Sequence, residues 1–96
     1  MDRLSNIAAE AKELAEERLG KGVVQDVRAA DYVDETGEDA YRILIVVNEF
    51  DPNVLTTQAR SAVVISLIRR LSAEGDARYP FVSFVPKDEL AEAAND

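Results

Sequence analysis

Apolar residues recur every three or four positions from Leu4 to Leu19: Leu4, Ile7, Ala8, Ala11, Leu14, Ala15 and Leu19. That spacing lays one apolar stripe along a helix. Gly20 stands where such a helix stops, and Glu10, Glu13, Glu16 and Glu17 fall on its solvated side. From Val23 to Val33 the period drops to two, which marks a strand. Val23, Val27, Ala29 and Val33 point one way, interrupted by Gln25 and Asp31. Val24, Asp26, Arg28, Ala30 and Tyr32 point the other. The interruptions predict a β-bulge near Asp31. The run DETGED turns around Gly37, and AYRILIVV resumes the alternation. Tyr41, Ile43, Ile45 and Val47 share one face, and Arg42, Leu44 and Val46 share the second. Two such runs joined by a short polar loop predict an antiparallel hairpin.

Asp51-Pro52 reads as a helix opening, Asp as N-cap and Pro in the first turn, with the helix running to about Glu74 and ended by Gly75. A third strand spans Phe81 to Val85, bracketed by Pro80 and Pro86. The acidic ending, about residues 88–96, reads as a short helix or a frayed tail. The order is therefore α-β-β-α-β-(α), one α+β domain over residues 1–96. A helix between the second and third strands makes them parallel, with a right-handed crossover. The economical architecture is a two-layer sandwich: a three-stranded mixed sheet with both long helices on one face. Its other face then presents Leu44, Val46 and apolar residues of the third strand.

The 52–74 helix is apolar nearly all round. Val63, Val64, Leu67, Ile68 and Leu71 fall on one broad face, and Leu55, Ala59, Ala62 and Ile65 largely on another. Such a helix is covered on more than one side. It is also the one net-basic element of an acidic chain, carrying Arg60, Arg69 and Arg70 against Glu74. Those arginines are expected to pair with neighbouring carboxylates. Arg60 lies within the first apolar face, so it is expected at the rim or in an ion pair, because a buried guanidinium needs a carboxylate.

Composition narrows the chemistry. The 96 residues include no His, Cys or Trp. Disulfides, thiolate nucleophiles, imidazole acid–base work and the usual zinc shells are thereby excluded. A net charge of −8 disfavours nucleic acid and anionic membranes, both polyanionic, and suits a basic protein partner. No run approaches the roughly 20 apolar residues that span a bilayer, and the acidic amphipathic start is not a secretory signal, so a cytoplasmic location is expected.

Ligands of open sheets favour the crevice beyond the carboxyl ends of parallel strands. Here that edge should gather Asn48, Glu49, Asp51, Thr56, Thr57, Lys87 and Asp88. Glu49, Asp51 and Asp88 are the candidate ligands of a hard cation, although Asp51 already serves as an N-cap. The glycines are scattered, so there is no phosphate loop, and no G-x-x-G with basic flanks supports a KH-like reading. Tyr32, Tyr41, Phe81 and Phe84 are better read as core aromatics than as a base-stacking platform, since acids surround them.

The stretch RYPFVSFVPKDEL and the acidic hairpin resemble small uncharacterised bacterial α+β proteins, over about half of the chain. The resemblance implies the fold and no functional residue. Together these readings lead to a non-enzymatic module for protein–protein interaction or self-association, with Leu44, Val46, Arg60, Ile65 and Arg69 as candidate surface and no cofactor. An acidic partner that neutralises a basic protein through Asp31–Asp39, and a carboxylate-dependent metal enzyme, are the alternatives.

Overall fold

A computed structural model describes residues 2–89 of the chain. Helix α1 spans Arg3–Leu19, strands β1 and β2 span Val24–Val33 and Asp39–Val47, helix α2 spans Thr57–Ala73, and strand β3 spans Tyr79–Pro86. Residues 87–89 are helical, and the remainder of the expected C-terminal tail lies outside the described residues.

Each boundary has a local cause. Asp2 caps α1 by accepting from the Leu4 N–H at 3.1 Å, and Gly20, at φ 101°, closes it with an N–H to the Glu16 carbonyl. The hairpin turn is organised by Asp34. Its Oδ1 accepts from the Thr36 and Glu38 N–H groups at 2.8 and 3.0 Å and from the Thr36 hydroxyl at 2.6 Å. The Thr36 hydrogen bond is the first reason its pKa lies below the usual carboxylate range. At the end of α2 the Asp76 N–H reaches the Leu71 carbonyl and the Gly75 N–H reaches that of Ser72, a Schellman closure.

Three features differ from expectation, the first being that β3 takes in Tyr79 and both flanking prolines instead of spanning Phe81 to Val85, since a proline is tolerated at a strand edge. Asp51 does not cap α2. It accepts from the Asn53 N–H at 2.9 Å, and its carbonyl takes the N–H groups of Val54 and Leu55, making a single separate turn. Thr56 then adopts an extended conformation and caps α2 through the Ala59 N–H at 3.0 Å. The break turns Leu55 into the core, where it is buried. The bulge falls between Val24 and Asp26 rather than near Asp31. The extra residue, Gln25, lets Val24 and Val27 face the same side, and both are buried there.

The sheet order is β1-β2-β3, antiparallel between β1 and β2 and parallel between β2 and β3. Both long helices cover one face, giving the expected α+β two-layer fold. Tyr41, Ile43, Ile45 and Val47 of the central strand are buried against Ile7, Ala11 and Leu14 of α1 and Val63, Leu67 and Leu71 of α2. By alternation the open face carries Asp26, Arg28, Ala30 and Tyr32, then Ala40, Arg42, Leu44 and Val46, then Tyr79, Phe81, Ser83 and Val85. Tyr41 and Phe84 join the core or its rim as expected, but Tyr32 and Phe81 do not. Their rings meet edge-on across the small Ala40 at 5.5 Å, and Arg42 lies 4.3 Å from the Tyr32 ring centre.

Candidate functional site

Helix α2 buries only the stripe Val63, Leu67 and Leu71. The residues one position further round, Val64, Ile65 and Ile68, face outward toward β3. With Tyr79, Val82 and Phe84 they line a groove of about 470 Å³ between the helix and the edge strand. Ile65 is 48% exposed, Ile68 36%, Tyr79 49% and Phe81 39%. Ile65, Ile68 and Tyr79 share the groove, whereas Phe81 stands on the open sheet face on the other side of β3. The strand beside them, Tyr79–Pro86, contains no charged residue, and its far side pairs with nothing among the described residues.

The candidate surface residues divide among several places. Arg60 and Ile65 line the groove, whereas Arg69 is exposed on α2 outside it. Leu44 lies half-buried on the open sheet face, and Val46, 2% exposed on that same face, offers no surface at all. The α2 arginines do not pair as expected: none of Arg60, Arg69 and Arg70 forms an ion pair among the described residues. Arg60 instead lies 5.6 Å from the ring centre of exposed Phe50, with its Nε buried and without a partner. An aromatic face accepts a guanidinium where no carboxylate is at hand. Ile68 and Tyr79 escaped the sequence reading. On a helical wheel Ile68 clusters with the buried residues, and Tyr79 precedes Pro80, the expected start of the strand.

The crevice beyond the strand ends forms much as expected. Asn48, Glu49, Asp51, Lys87 and Asp88 line a cavity of about 480 Å³ with Gly22, Val23 and Val54, although Thr56 and Thr57 stay outside it. Asn48 donates its side-chain amide to the Gly22 carbonyl, which ties the ends of the hairpin strands together. Glu49, Asp51 and Asp88 share the cavity, but among the described residues no three acids form a group able to hold a metal ion. Asp51 spends an oxygen on its own turn, and Lys87 supplies a cation in place.

A polar cluster at the opposite end of the sheet had no sequence signal, because its members are far apart in the chain. Asp76 accepts from the Tyr41 hydroxyl, from Arg3 at 3.1 Å and from the Arg78 N–H at 3.1 Å. Arg3 also bridges Glu74 at 3.1 Å, and Arg78 reaches Asp31 at 3.7 Å. Burial pushes Asp76 up, yet the Tyr41 hydroxyl and the cations outweigh it and leave its pKa below the ordinary range. Burial raises the Tyr41 pKa, so its hydroxyl stays protonated and donates. Burial, and then Glu74, raise the pKa of Glu10, while the hydrogen bond from Glu10 lowers that of Glu74. The cluster fastens the start of α1, the end of α2 and the start of β3 to one another. It borders a cleft of about 790 Å³ that also holds Asp2, Glu38 and Asp39.

Among the described residues no helix is long and apolar enough to cross a membrane. No family model matches the chain, and no curated protein matches it in sequence.

Proposed function

We propose that this domain is a non-enzymatic, cytoplasmic interaction module that docks a protein through the face formed by α2 and β3. One observation carries the reading: Ile65, Ile68 and Tyr79 stand exposed along one groove, beside an uncharged strand whose outer edge is unpaired among the described residues. Apolar surface left exposed in one groove of a folded chain is characteristic of a site that a partner covers. Interfaces draw on buried aromatic and aliphatic anchors with a polar rim, and Arg60 and Ser61 supply that rim here. The test is a photo-crosslinking amino acid at Ile65 in the full chain inside the native cell. Discrete protein adducts at Ile65, absent when the same probe replaces Glu13 on the exposed side of α1, support the reading. Equal, diffuse labelling at both positions overturns it.

A second reading, an acidic partner for a basic protein, has its own support. Asp2, Asp31, Glu38, Asp39, Glu74 and Asp76 line one cleft with only Arg3 and Arg78 as cations. Association there weakens steeply with added salt. A complex with a basic protein that is insensitive to salt would count against it.

A further inference from the structure

We infer that the partner on this face is a second copy of the chain, joined by antiparallel pairing of the two β3 strands about a twofold axis at Ser83. The inference rests on the reading of the α2–β3 face as a docking surface and adds the occupant.

Among the described residues strand β3 is an edge, hydrogen-bonded to β2 on one side only. Its prolines, Pro80 and Pro86, are six residues apart and so point their nitrogens to the same side. Proline has no N–H, and the ladder to β2 stays whole when both nitrogens turn to the free edge. That assignment puts the N–H and carbonyl groups of Val82 and Phe84 on the free edge as well.

The segment Pro80-Phe81-Val82-Ser83-Phe84-Val85-Pro86 has nearly the same pattern in both directions. A twofold at Ser83 sets Val82 against Phe84 of the second copy, and Phe84 against its Val82. The four edge N–H groups are then all satisfied across the seam. Pro80 meets Pro86 at the two ends of the seam, so the positions without an N–H face each other and only their carbonyls, at the solvent-facing ends, are left to accept from water. Phe81 meets Val85 on the open face. Every apolar contact is thus an aromatic against a β-branched residue, a favoured cross-strand pair. A register shifted by two residues instead sets Arg78 against Pro86 and Phe81 against Ser83.

The same axis builds one six-stranded sheet with all four helices on one face. The two α2–β3 grooves then flank the seam, where Ile65 and Ile68 lose their exposure. An isologous contact of this kind closes on itself at two copies. Each copy carries a charge of −8 while the paired segments are neutral, so added salt tightens the dimer. An acidic chain bound to a basic one responds in the opposite direction.

The test uses the full chain, which has no cysteine of its own. Facing Ser83 residues form a non-hydrogen-bonded pair with Cα atoms about 4.5 Å apart, within the span of a disulfide. Ser83→Cys under mild oxidation should give a cross-linked dimer roughly tenfold faster than Thr36→Cys at the hairpin tip, because pairing raises the local thiol concentration. Light scattering of the wild-type protein should give twice the chain mass, more completely at higher salt. A monomer at every concentration and salt overturns the proposal, as does a dimer in which Ser83→Cys links no faster than Thr36→Cys. Ile65 adducts to a different protein from a monomeric chain remove the self-pairing and leave the docking face standing. Absence of any specific adduct removes both.

Discussion

Strands β1 and β3 both lie at an edge of the sheet, yet they meet solvent with different chemistry. β1 exposes Asp26, Arg28 and Asp31, with Arg28 and Asp26 bridged at 3.3 Å, and it is bent by the bulge at Gln25. Charge and a bulge are the ordinary means by which an edge refuses another strand. β3 has neither. Its eight residues are uncharged, its exposed side chains include Tyr79 and Phe81, and the helix over it leaves Ile65 and Ile68 uncovered. Its two prolines limit the edge to a short window, which excludes indiscriminate pairing and leaves room for one self-matched register. One edge is closed by electrostatics and the other is kept selective by proline placement. That difference is the reason the proposed docking surface is placed at β3 and not at β1.

The largest effect separates the two sides of α2. Leu67, fully buried, faces the core, and Leu67→Ala should destabilise the fold by about 2–5 kcal/mol in denaturant titration. Ile65→Ala on the outer stripe should leave monomer stability nearly unchanged and act on association. A large stability loss at Ile65 would mean that the groove is already filled within one chain.

Asp76→Asn comes next, at about 1–3 kcal/mol, because it weakens the acceptor shared by Tyr41, Arg3 and Arg78. The sign with pH follows from its lowered pKa. A depressed carboxylate adds stability above its unfolded pKa, and that part is lost as pH falls through the folded value. Wild-type stability should therefore decline on the acid side of about pH 4, and Asp76→Asn should flatten this decline. Thermal melts across that range test it, and an unchanged slope would remove the cluster from the fold's acid sensitivity.

Ser83→Lys tests the edges against each other. Like charges directly opposite destabilise a strand pair, so self-association should weaken roughly tenfold, about 1.4 kcal/mol, with the thermal melt of the monomer little moved. Gln25→Lys at the β1 edge should leave mass and melt alike. Equal effects at the two edges would erase the distinction.

The smallest effect lies at the hairpin tip. Gly37 sits at φ 84°, so Gly37→Ala should cost about 1 kcal/mol in stability and change association not at all.

Much of this arrangement was legible in the chain. The alternation in AYRILIVV identified the buried row Tyr41, Ile43, Ile45 and Val47, and a helix between two strands implied their parallel pairing. Gly20 and Gly75 ended their helices because each supplies the positive φ that the closure demands. The start of α2 misled because Asp51-Pro52 is a genuine helix opening, used here for one isolated turn. Only the burial of Leu55, a tertiary demand, moves the cap to Thr56. The bulge was misplaced because Val24 and Val27 are three apart, a clue that matters once both are known to be inside. Arg60 and Ile65, named from the surplus of apolar surface on α2, do line the α2–β3 groove. Ile68 and Tyr79 were missed because their exposure depends on how far α2 stands from β3, which periodicity does not encode, while Phe81 is exposed because it falls on the open sheet face. The Tyr41–Asp76–Arg3 cluster joins three distant segments and leaves no local pattern.

Amide exchange resolved at Val82 and Phe84 tests the central claim most directly. Paired across the seam, these two edge amides should be protected like those of central β2, and their protection should fall as the protein is diluted. The β1 edge amides should exchange quickly at every concentration. Val82 and Phe84 exchanging as fast as β1, whatever the concentration, would contradict the account.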